Sequence, residues 1–178
     1  MSLGDYNRLL VPISEQDHIQ GLVSTSVTLV QYGDYQCSTC GETHQLIKAI
    51  QQQANDLCFV FRHFPQPQIH PYAQRAAEAA EAAASQGQFW QMHDILFTYQ
   101  QALGNGDLVE YANNLGLDIP QFLQDISSQV HIARINQDIQ SGLHSGVTAA
   151  PALFINGIRY SNRWNIEQLM AAIVTARH

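Results

Sequence analysis

A Cys-x-x-Cys set between an apolar run and a segment of helical periodicity constrains this chain more than any other feature. Val27-Thr28-Leu29-Val30 leads through Tyr32-Gly33-Asp34-Tyr35-Gln36 into Cys37-Ser38-Thr39-Cys40. Two cysteines three apart can close a disulfide across the first turn of a helix, and at a strand-to-helix junction they read as a redox pair. The first cysteine would meet unpaired backbone N–H groups and the positive end of the helix dipole. Both favour the thiolate, which is the nucleophilic form of sulfur. Cys37 is therefore the expected nucleophile and Cys40 the resolving thiol. Ser38 and Thr39 can donate hydroxyl hydrogen bonds but bring no positive charge, so a moderate oxidant or a reductase is expected.

The plainer readings of the pair are a structural disulfide or half of a zinc site. Zinc would need two further ligands. There is no second Cys-x-x-Cys, although eight histidines could contribute in principle. No metal and no cofactor are expected. Three cysteines, two of them in the motif, do not make the stapled framework of a small secreted domain. Cys58 sits inside an apolar run, where a free cysteine acts as a small hydrophobe.

Strand signals flank the motif. Arg8-Leu9-Leu10-Val11-Pro12-Ile13 suggests an edge strand or extended arm, and Asp17 to Gly21 a turn. Val27–Tyr32 and Leu57–Phe61 read as buried strands, with a helix over 38–54 between them. Strand, crossover helix and strand at this spacing form a right-handed parallel βαβ unit. The cysteines then lie at the carboxyl end of the first strand, where open α/β sheets place their chemistry. From 66 to 145 the pattern is helical. His70-Pro71 opens an alanine-rich helix with Pro71 in its first turn, and Phe89, Trp90, His93, Leu96 and Phe97 mark an aromatic one. Asp107 and Asp118 cap two short helices, and Val130 to Ser145 is the last. Ala152–Ile155, the Asn156-Gly157 hairpin turn, Ile158–Tyr160 and a helix capped by Asn165 close the chain. The expected division is 1–65, an arm and βαβ half; 66–145, a helical insertion; and 146–178, a ββα half.

Taken together these stretches resemble the bacterial DsbA-like thiol–disulfide oxidoreductases of the thioredoxin superfamily. The resemblance runs from Asp17-His18 to Tyr160. It rests on Val27 to Cys37, Phe61-Arg62-His63-Phe64-Pro65, Gln86-Gly87-Gln88-Phe89-Trp90-Gln91-Met92-His93 and Gly146 to Gly157. It implies an α/β thioredoxin-like fold interrupted by a helical domain, and a cis peptide at Ala150-Pro151 beside the cysteines. It also implies that the backbone of Ala150 offers hydrogen bonds to an extended substrate. Three positions depart from the family pattern. Ser38-Thr39 stands where the strongest oxidant has Pro-His. Ala150 stands where Thr or Val is usual, and Gln31 where many members bury an acid that relays a proton to the second cysteine.

The expected function is thiol–disulfide exchange with protein or peptide substrates and a redox-recycling partner. A peptide-binding module without turnover and a disulfide isomerase are the alternatives. Isomerases usually need a dimer and no dimerisation segment is evident, so a monomer is expected. His63 is a candidate for tuning the thiolate, with a packed structural histidine as the plainer reading. Asp34 reads as a turn or capping residue whose charge opposes a thiolate. Net charge is −7 and Lys48 is the one lysine, which leaves no basic stripe for nucleic acid. No apolar run is long enough for a membrane span. Met1-Ser2-Leu3-Gly4 does not resemble a signal peptide. As the chain stands a cytoplasmic setting is favoured; with a leader removed, it would be periplasmic or secreted.

Overall fold

The structure is a computed structural model and describes residues 7–177, so the reading of 1–4 lies outside the described residues. Two apolar runs form the centre of the sheet. Strands β2 (Val27–Gly33) and β3 (Leu57–His63) lie parallel, joined by helix α1 (Ser38–Gln53). β3 is buried along its whole length and β2 nearly so, which is why neither shows the alternation of a half-exposed strand. Strand β4 (Ala152–Ile155) pairs antiparallel with β2, and β5 (Ile158–Arg159) folds back on β4. Asn156 and Gly157 between them take φ of 48° and 81°, the left-handed pair that a type I′ turn requires. Tyr160 falls just beyond β5 but still donates its N–H to Leu153 O at 2.8 Å.

The sheet edge differs from the sequence reading. The edge strand is β1 (His18–Gln20), antiparallel to β3, in the segment expected to turn. Gly21, at φ 91°, ends it. The apolar segment 8–13 is an arm, with one isolated bridge from Arg8 to Ile158. Side-chain chemistry explains the difference. Arg62 takes the carbonyls of Val11 and Pro12 at 2.9 and 3.0 Å, so those oxygens serve a guanidinium and not a strand ladder. The same guanidinium grips Asp17 through two bonds of 2.8 and 3.0 Å, which sets β1 beside β3.

Helices α2 (Ala73–Ala84), α3 (Phe89–Thr98), α4 (Asn105–Asn114), α5 (Ile119–Ser127) and α6 (Ile132–His144) lie between β3 and β4, and α7 (Ile166–Ala176) follows β5. Three boundaries move. Ala73 N–H bonds His70 O in a tight turn, so α2 starts after Pro71. Asp107 does not precede α4. It sits inside the first turn and accepts the Gly104 N–H at 3.1 Å, so the helix starts earlier, at Asn105. Gln129, at φ 53°, closes α5, and Val130 belongs to that closure. Asp118 and Asn165 cap α5 and α7 as read, each accepting the N–H three residues on.

The pleat divides the core. Leu29, Phe59, Phe61, Leu153 and Ile155 pack with both motif cysteines, Ile47, Ile50 and the inserted helices. Val30, Tyr32, Cys58, Val60 and Phe154 pack on the opposite face. Cys58 is thus separated from the motif by the sheet itself.

Candidate functional site

Helix α1 begins at the end of β2, so its N-cap falls on Cys37. The Cys37 sulfur accepts the Cys40 backbone N–H at 3.2 Å, filling the place usually taken by a capping oxygen. Cys37 is 7% exposed and Cys40 fully buried, so Cys37 alone reaches solvent. Hydrogen bonding from the Cys40 thiol, aided by the Cys40 N–H and by His70, pulls the Cys37 thiol down to about 6 against burial and the Asp34 charge. Burial pushes Cys40 far the other way, and its role as donor to Cys37 adds to the effect. The pair therefore holds one thiolate and one thiol at neutral pH, an asymmetry suited to attack by the first sulfur.

Asp34 organises the loop ahead of the motif. Its Oδ1 accepts the N–H groups of Gln36 and Cys37 at 2.8 and 3.2 Å. Its Oδ2 accepts the Gln66 N–H and meets His70 Nδ1, both at 2.9 Å. Four partners satisfy a carboxylate that is 1% exposed. The turn role read from the sequence is thus combined with a part-buried Asp34–His70 pair, whose carboxylate opposes the Cys37 thiolate and whose imidazole favours it. Gln100 closes the other side. Its side-chain N–H groups donate to the carbonyls of Tyr35 and Cys37 at 2.9 and 2.7 Å, against Gly41, where a Cβ would collide with the amide.

Ala150-Pro151, a cis peptide, completes the face. Cys37 Sγ lies 3.8 Å from Ala150 O, and Gln66 Oε1 accepts the Ala150 N–H at 3.1 Å. Gln66 therefore links Asp34 to the Ala150 backbone. Ser38 and Thr39 are exposed, and neither hydroxyl is bonded to Cys37. Gln31 is fully buried on the face shared by Leu29 and the cysteines, and neither of its amide atoms has a hydrogen-bond partner. His63 is fully buried and donates to Glu81 Oε2, 2.9 Å away, as does His18 at 2.6 Å. The histidine acting on Cys37 is His70, which the sequence reading treated only as a helix start. Nothing in the sequence pairs residues 34 and 70; adjacency of β2 and β3 does, because both loops leave the same end of the sheet. Among the described residues, neither motif cysteine joins a group of three metal-ligating side chains. The described residues hold two such groups elsewhere, His18–His63–Glu81 and His44–His93–Asp94.

A family model described as Thioredoxin matches residues 14–174. A thioredoxin-like oxidoreductase from Silicibacter pomeroyi superposes with a TM-score of 0.82 at 22% identity, covering 92% of this chain and 94% of that one. Alpha-DsbA1 from Wolbachia pipientis does so with a TM-score of 0.80 at 18% identity, covering 95% and 94%. Among curated proteins, the Na(+)/H(+) antiporter NhaA 3 of Salinispora tropica is 40% identical over 94% of this chain. The chain spans 26% of the length of that relative. With nearly all of its length matched and the cysteine pair at the head of α1, the chain belongs to the thioredoxin family, and with helices between β3 and β4 its fold is like that of alpha-DsbA1.

Proposed function

We propose that the chain is a thiol–disulfide oxidoreductase acting on protein or peptide thiols and disulfides, with Cys37 as nucleophile and Cys40 as resolving thiol. The observation that carries this reading is the placement of the two sulfurs at the head of α1, where Cys37 Sγ accepts the Cys40 N–H and alone reaches solvent while Cys40 is fully buried, an arrangement that lowers the Cys37 pKa and raises that of Cys40. In reduction, Cys37 S⁻ attacks a substrate disulfide and displaces one substrate thiolate, which takes a proton from water. Cys40 loses its proton to water and attacks Cys37 Sγ. The Cys37–Cys40 disulfide closes and the second substrate thiol leaves, so two electrons pass to the substrate. Oxidation of a dithiol is the reverse. A dithiol or disulfide partner resets the pair.

An extended substrate lies against Ala150-Pro151, where the Ala150 carbonyl faces Cys37. The Ala150 N–H becomes available only when Gln66 is displaced. Insulin reduction by wild type and Cys37→Ser tests the proposal. A cysteine-dependent rate is expected; equal rates would leave a peptide-binding module without turnover. The antiporter match favours a second reading, in which such a domain serves thiols on an attached Na(+)/H(+) antiporter.

A further inference from the structure

The second histidine group lies away from the redox sulfurs, between α1 and α3. His44 stands one turn beyond Cys40 on α1, and His93 and Asp94 are adjacent on α3. One ligand atom from each lies within 4.8 Å of the other two. His44 and His93 are 5% and 1% exposed, whereas the Asp94 side chain is 41% exposed and opens the cluster to solvent. Two of the atoms aimed into the cluster, His93 Nε2 and Asp94 Oδ1, are buried without a hydrogen-bond partner. A buried imidazole nitrogen and a buried carboxylate oxygen without partners are costly, unless something between them satisfies both.

We infer that His44, His93 and Asp94 form a three-ligand site for a divalent transition metal of the zinc type, with a fourth position toward solvent. Two imidazoles and a carboxylate suit such an ion, and catalytic zinc sites commonly use three protein ligands plus water. Metal bonds of roughly 2.0–2.1 Å at a tetrahedral centre place ligand atoms about 3.4 Å apart. His44 Nε2 and Asp94 Oδ1 are already 3.5 Å apart. The outer partners are also in place. His93 Nδ1 meets Tyr35 OH at 2.9 Å, which fixes the ring and leaves Nε2 for the metal. Lys48 Nζ holds Asp94 Oδ2 at 3.0 Å, orienting Oδ1 inward while its charge limits affinity. Bound metal would brace the redox helix against the inserted helices, through the same tyrosine that precedes Cys37 in the loop.

The test uses the full chain carrying Cys37→Ser and Cys40→Ser, which removes the exchange thiols as rival ligands. Zinc titrated calorimetrically should bind one to one, and Asp94→Ala should weaken binding by about 100-fold or more. Its partly exposed position keeps that variant folded. Lys48→Met should bind more tightly. Cobalt in the same site should give a tetrahedral visible spectrum, without the sulfur charge-transfer band of a thiolate ligand. Binding well below one equivalent would overturn the assignment. So would affinity unchanged in Asp94→Ala, weaker binding in Lys48→Met, or binding that survives Asp94→Ala but is lost in Glu81→Gln.

Discussion

Replacing Cys40 with alanine separates the two sources of Cys37 acidity. The substitution removes the thiol that donates to Cys37 and keeps the backbone N–H at 3.2 Å. A hydrogen bond to a charged group contributes about 1.5–3 kcal/mol, and one pKa unit corresponds to about 1.4 kcal/mol. Loss of the Cys40 donor should therefore raise the Cys37 pKa by about 1–2 units. From a starting value of about 6, the thiolate fraction at pH 7 would fall from about nine-tenths to half or less. Iodoacetamide alkylation followed against pH reads this directly, because Cys58 is fully buried and Cys37 is then the reactive thiol. The alkylation midpoint should move up by that amount. An unchanged midpoint would refute the assignment of the Cys40 thiol as the dominant stabiliser and leave the helix terminus as the source.

Because the folded Cys37 pKa is depressed, its stabilisation of the reduced form is complete above the unfolded value of about 8.5 and is lost as pH falls through about 6. Cys40 is raised and has the opposite sign, costing stability as pH climbs beyond about 8.5. Thermal melts of reduced against oxidised protein should show the reduced form gaining between those two values and declining above about 8.5 as the Cys40 penalty sets in; a gain toward acid pH would contradict the signs. Glu81 is held well below the usual carboxylate range, its burial outweighed by bonds from His18 and His63. Glu81→Gln should destabilise by about 3–5 kcal/mol in urea titrations at pH 7, since buried His63 and half-buried His18 lose the carboxylate they share. That contribution declines as pH falls below the unfolded carboxylate value of about 4.3, because the unfolded chain takes up the proton while folded Glu81 stays ionised. Gln31→Glu places a buried carboxylate where neither amide atom has a partner; it should lower stability near neutral pH, raise the Cys37 pKa and speed decay of the mixed disulfide in stopped-flow. Equal decay rates would make Gln31 a core residue only. Gly41→Ala pushes against the Gln100 amide and should cost about 1–3 kcal/mol, with little further loss in a variant already carrying Gln100→Ala.

Local chemistry made much of this fold legible. Two continuous apolar runs, an Asn-Gly pair and a Cys-x-x-Cys at a junction each allow few structures, and all lie where the sequence puts them. The misplaced edge strand shows where such reading stops. Segment 8–13 is apolar enough for a strand, but its carbonyls are claimed by Arg62, a contact from far along the chain. Asp17 to Gly21 looks like a turn by composition and pairs with β3 because the same arginine anchors it. The site divides in the same way. Cys37 capping its own helix follows from position, whereas the Asp34–His70 pair and the Gln100 clamp depend on loops and helices brought together only by the tertiary fold. The Gln31 face was predictable from strand alternation; the lack of partners for its amide was not.

The central claim is that Cys37 is the sulfur that joins the substrate. Incubating Cys40→Ser with a disulfide-bonded peptide, quenching with acid and mapping the product by mass spectrometry tests this most directly. The account predicts a stable mixed disulfide on Cys37 alone, formed faster as rising pH ionises that thiol. No adduct, or an adduct carried by Cys58, would contradict it.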